Sequence, residues 1–101
     1  MRTAAIALGV VAALAGNANA QQRGSTYEEH TLVNGHGRLL EHRITTSRDC
    51  MARCIANPEC GYWIHIDIAE LSCRLHAGKH IQREMGGDRL RLHTSGVIYV
   101  R

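Results

Sequence analysis

Seven histidines and four cysteines are the residues of this chain whose types and spacing could do chemistry. Imidazole ligates metals and exchanges protons near neutral pH, so a metal or catalytic reading begins with the histidines. His76 and His80 stand at the interval that places two ligands on one helix face, but Gly78 between them disfavours a continuous helix. His65 and Asp67 fall on one face of a strand, where a hydrogen-bonded pair reads as structural. A hydrolase needs a nucleophile, a base and an orienting group brought together. Ser25, Ser47, Ser72 and Ser95 read instead as tail, cap and turn residues, and neither Gly-x-Ser-x-Gly nor His-Glu-x-x-His occurs. No catalytic residue, metal ligand or cofactor site is assigned, and a histidine-mediated metal-binding protein is kept as an alternative.

Cys50, Cys54, Cys60 and Cys73 take their meaning from the compartment. Met1-Arg2 is a minimal positive start, residues 4–15 are an apolar run, and Ala18-Asn19-Ala20 supplies small residues before Gln21. Residues 1–20 therefore read as a secretory signal peptide. The apolar run is too short to cross a hydrocarbon core of roughly 30 Å as a helix. No later segment is apolar enough to span, so the expected product is secreted or extracellular, periplasmic in a Gram-negative source, with no membrane span after cleavage. In such a compartment an even number of thiols in a short chain forms bridges. Structural zinc sites bring close cysteine pairs to both ends, and only Cys50-x3-Cys54 has that spacing.

The pairing can be narrowed from helix geometry. Thr46 or Ser47 is a good N-cap, Asp49 lies in the first turn where the helix dipole favours an anion, and Asn57-Pro58 stops the helix. Over residues 47–56, Cys50 and Cys54 project from one face in the same direction, so each bonds something beneath them more readily than the other. Cys54 at the helix end is nearest in sequence to Cys60, which favours Cys54–Cys60 with Cys50–Cys73 among the three formal pairings.

The remaining elements must hold that helix. Residues 21–26 read as a flexible tail. Residues 27–33 and 38–44 have β character around Asn34-Gly35-His36-Gly37 and suggest a hairpin-like pair. Tyr62, Ile64, Ile66 and Ile68 alternate with Trp63, His65 and Asp67, so 61–68 reads as a central strand whose two faces are both covered. Period-two patterns predict strands at 73–76 and 89–93, a loop at 78–88, a turn at Thr94-Ser95-Gly96 and a last strand at 97–100. The fold class is α+β, one small domain with a helix bridged to an antiparallel sheet of about five strands. A chain of 101 residues is too short for a Rossmann fold, a TIM barrel or a two-domain enzyme.

Four features together, Cys50-x3-Cys54 on a helix, Cys60-Gly61-Tyr62-Trp63, Cys73-Arg74-Leu75 and Thr94-Ser95-Gly96-Val97, resemble the PAN/apple family over residues 27–101. The resemblance implies a curved antiparallel sheet embracing one helix, the same two bridges, and a non-catalytic extracellular binding module for proteins or carbohydrates. Many apple domains carry a further bridge between their terminal strands. This chain has no cysteine near Tyr27 or Val100 to make it, and so is similar to the short, two-bridge members. His65 also stands where an aromatic residue is common in the family.

If Leu75, Leu90 and Leu92 point inward, then Arg74, His76, Arg89, Arg91 and His93 point outward. On neighbouring strands they would make a cationic face for anionic sugars or acidic protein, strengthened when the histidines protonate. Tyr62 and Trp63 read as core aromatics. The formal net charge is +3, one unit of which belongs to Arg2 in the leader, a balance that does not imply nucleic acid. The expected function is a secreted, adhesin-type recognition module for an extracellular glycan or protein. Besides the metal-binding protein, an inhibitor- or effector-like scaffold with one protein target is the other alternative.

Overall fold

The computed structural model describes residues 22–68 and 72–101; the leader expected over residues 1–20 lies outside the described residues. Among the described residues eight strands and one α-helix follow in the order β1 (Arg23–Ser25), β2 (Glu28–Glu29), β3 (Thr31–Asn34), β4 (Leu39–Arg43), α1 (Ser47–Ala56), β5 (Cys60–Ile66), β6 (Ser72–Ala77), β7 (Gln82–Met85) and β8 (His93–Val100). The main sheet is antiparallel in the order β1-β8-β5-β6-β4, with β2 also paired to β8, while β3 and β7 form a separate two-stranded ribbon. The class is α+β, with one helix on an antiparallel sheet.

Helix α1 begins where its cap directs. Thr46 is the N-cap, and its hydroxyl accepts the Asp49 N–H at 3.1 Å, satisfying one of the donors that a helix start leaves without a partner. The helix closes at Asn57, just before Pro58. Cys50 and Cys54 are its buried residues, and the bridges are Cys50–Cys73 to strand β6 and Cys54–Cys60 to the start of β5. Trp63 and Leu75, opposite each other on β5 and β6, complete this core beneath the helix.

Alternation along β5 sends Tyr62 and Ile64 to the other side, where Val33 of the ribbon packs on them. Both faces of the central strand are thus covered, the second by β3. Ser95 fastens the ribbon: its buried hydroxyl donates to the Thr31 carbonyl at 2.7 Å and accepts the Val33 N–H at 3.0 Å.

Several elements differ from the pattern read in the sequence. Residues 23–25, expected as part of a flexible tail, form β1 with Arg23, Gly24 and Ser25 opposite Val100, Tyr99 and Ile98. The expected hairpin between 27–33 and 38–44 is absent: β3 pairs with β7 and β4 with β6. The expected loop 78–88 therefore contains strand β7. The expected strand 89–93 starts instead as a 3-10 turn at Asp88–Leu90, which buries Leu90. Thr94-Ser95-Gly96 makes no turn, since β8 runs straight through it. Gly96 is required there for space, because a Cβ would collide with the Thr26 carbonyl and the Trp63 indole.

Candidate functional site

The sheet face that carries α1 is apolar beneath the helix and turns polar beyond its first residue. Glu29 lies opposite Thr94, and Thr94 opposite His65, so these three form one row across β2, β8 and β5. Residues directly opposite in antiparallel strands share a face. The row forms part of a cleft of about 260 Å³, with Tyr27, Ser47, Asp67 and Arg91 also in its lining. Two backbone bonds fix the rims, Asp67 N–H to the Leu92 carbonyl and His30 N–H to the His93 carbonyl, each at 2.8 Å. His30 also lines the cleft and holds a left-handed backbone, φ 54°, a conformation uncommon outside glycine and costing about 1 kcal/mol or more.

His65 is only 4% exposed. Its Nε2–H donates to the Thr45 carbonyl at 2.6 Å, so in the neutral imidazole Nδ1 is the acceptor. The Tyr27 hydroxyl and Ser47 hydroxyl share a hydrogen bond of 2.7 Å. The Tyr27 ring has two close neighbours: the Arg48 guanidinium lies 3.9 Å from its centroid, and the Trp63 ring is tilted at 5.8 Å. The cleft can therefore exchange hydrogen bonds with a ligand, while Tyr27 contributes its hydroxyl edge.

The five residues of the expected cationic face are spread over three elements. Arg74 is exposed on β6, but β5 separates that strand from β8, and Arg89 and Arg91 belong to the 3-10 turn and its end. Arg89 is ion-paired with Glu84. His76 stacks on Tyr62, 4.9 Å between centroids and 4° between planes, and donates through Nδ1 to the Gly37 carbonyl at 3.1 Å. Its Nε2 is buried without a partner. His93 is half-buried at the start of β8, and burial, aided by the nearby positive charge of Arg89, lowers its pKa from 6.5. Of the five residues, Arg91 alone lines the polar cleft. The four cysteines are all in disulfides, and among the described residues no group of three His, Cys, Asp or Glu is placed to hold a metal ion.

Tyr27 and Glu29 carry no motif that marks them in the sequence, and Ser47 and Thr94 are marked there only as a cap candidate and as part of a turn motif. They meet because β2, only two residues long, docks on β8 beside the helix start. His65-x-Asp67 was the one visible trace, two polar side chains on the face that elsewhere along β5 carries core. Comparison of the chain with protein-family models, with curated proteins and with solved structures finds no match. The functional reading therefore stands on geometry and residue chemistry.

Proposed function

We propose that this chain is a non-catalytic extracellular binding module, of the PAN/apple kind that its cysteine framework resembles, and that the polar cleft beside the helix start receives its glycan or protein ligand. The observation that carries this reading is the cleft itself. Its lining comes from segments as far apart in sequence as Tyr27 and Thr94, held together by a frame with two disulfides. A site ordered before binding loses less conformational entropy when the ligand arrives. The extracellular setting is supported by the bridges, which persist in oxidising compartments, and is compatible with the described residues containing no helix long and apolar enough to cross a membrane.

The test uses the oxidised, secreted chain on a glycan array and as bait in a pull-down from its native exterior. Capture is expected for the wild type and for Arg74→Ser, and is expected to weaken when Asp67→Asn and Arg91→Gln are combined. Failure to bind any glycan or protein, or turnover of a captured glycan, rejects the reading.

A further inference from the structure

Glu29 and Asp67 place two carboxylates at the cleft, and Arg91 places a guanidinium there. Among the described residues none of the three is engaged in an ion pair, although Arg38, Arg43, Arg53, Arg83 and Arg89 all are. Opposite charges that line one cleft without neutralising each other retain their hydrogen-bonding capacity for a ligand. They also restrict its charge. A charged group entering there meets both signs at once, so its gain from the opposite charge is offset in part by the like charge, while it still gives up part of its own hydration.

A hydroxyl group escapes both penalties, because it donates to a carboxylate and accepts from a guanidinium. The floor asks for the same chemistry. Thr94 brings a hydroxyl, and in the neutral imidazole His65 Nδ1 can accept from a donor, since Nε2–H is committed to Thr45. Arg48 already lies over the Tyr27 ring, so hydrogen bonding is favoured over stacking on that ring. At about 260 Å³ the cleft lies below the usual range for drug-sized ligands, roughly 300–1,000 Å³, a size suited to one sugar ring and not to a length of chain.

From these observations, and resting on the binding-module reading above, we infer that the cleft formed around Glu29, His65, Asp67, Arg91 and Thr94 selects a single neutral sugar residue, as a free monosaccharide or as the exposed end of a glycan, and discriminates against acidic and amino sugars. This inverts the expectation of a cationic face for polyanions.

The experiment is an NMR titration of the oxidised chain with the methyl glycosides of glucose, galactose, mannose and N-acetylglucosamine, with glucuronate and glucosamine as charged counterparts. At least one neutral glycoside is expected to shift the amides of His65, Asp67 and Thr94, and to bind at least about tenfold more tightly than either charged sugar. Asp67→Asn, Arg91→Gln and Thr94→Val are each expected to weaken it by roughly tenfold, the scale set by one lost hydrogen bond to a charged or buried group. Arg74→Ser is expected to leave the affinity unchanged, and circular dichroism melts check that each variant is folded. A disaccharide series tells a terminal residue from a free monosaccharide: added length at the reducing end leaves the affinity unchanged in the first case and abolishes it in the second. Equal or tighter binding of glucuronate or glucosamine, shifts confined to other surfaces, or affinities indifferent to all three cleft substitutions overturn the inference. If no sugar shifts the cleft while the array or pull-down still captures a ligand, the inference fails and the binding-module reading survives. If nothing is captured, both fail.

Discussion

The Arg23 guanidinium donates to the carbonyls of Cys54, Ile55, Asn57, Pro58 and Cys60, at 3.0 to 3.2 Å. These are groups at and just beyond the C-terminal end of α1, where carbonyls have lost their intrahelical partners and the helix dipole favours a cation. Arg23→Ala is expected to destabilise the fold by about 2 kcal/mol, the usual scale for hydrogen bonds made by a charged group. Arg23→Lys should restore only part of the loss, because an ammonium lacks the planar fork that reaches several carbonyls. Urea denaturation of the three proteins measures both effects, and equal stability of Arg23→Ala and wild type rejects the clamp. Ser95 is the second such residue. Ser95→Ala strips partners from the Val33 N–H and the Thr31 carbonyl in a buried setting, for an expected cost of about 1–3 kcal/mol. Hydrogen exchange should locate that loss, with the β3–β7 ribbon opening before the main sheet.

At the scale of elements, legibility followed the strength of the local signal. Helix α1 had a side-chain cap at Thr46, a stop at Pro58 and two cysteines on one face, so its span and the positions of its bridges could be read together. Strands β5 and β6 were marked by alternation that continues for most of their length. Strand β7 has four exposed residues and no alternation of burial, and it exists through its pairing with β3, supported by the Arg83–Glu28 ion pair. Nothing local announces such a strand. Arg89-Leu90-Arg91-Leu92 showed the opposite failure, a period-two run too short to tell a strand from a turn that buries one leucine. The cleft was illegible for the same reason as β7, because its row of Glu29, Thr94 and His65 is created by pairing across three strands. Gly96 measures how far tertiary packing overrode a turn signal. Gly96→Ala drives a methyl into the Thr26 carbonyl and the Trp63 indole, and is expected to cost about 1–3 kcal/mol, as overpacking of a close contact does. A thermal melt followed by tryptophan fluorescence checks it, and an unshifted midpoint would restore the turn reading.

For the molecule as a whole, pH acts through groups whose ionisation differs between folded and unfolded chains. His93 titrates below its ordinary 6.5 in the folded state, because burial opposes its charge and Arg89 adds to the effect. The unfolded chain therefore takes up a proton near pH 6.5 that the folded chain refuses. Linkage makes stability independent of this group at higher pH, and lowers stability as pH falls from about 6.5 towards the depressed folded value. Glu28 acts in a lower window. Burial works against its carboxylate, but hydrogen bonds from Arg83 and Thr26 outweigh that and hold its pKa below 4.5. Its contribution is present above 4.5 and disappears as pH falls through the lower folded value. Because Glu28 ties β2 to β7 through Arg83 and His93 starts β8, both losses bear on the region where the ribbon meets the main sheet. The denaturation midpoint is thus expected to decline in two stages on acidification, the first beginning near pH 6.5 and the second below about 4.5. His93→Gln should flatten the first stage and leave the second, and Glu28→Gln should do the reverse at the cost of a lower starting stability. Denaturation of the three proteins at half-unit intervals from pH 8 to pH 3 decides the matter: a wild type with constant stability between pH 7 and pH 5, or a first stage that persists in His93→Gln, rejects burial of His93 as the source of acid sensitivity.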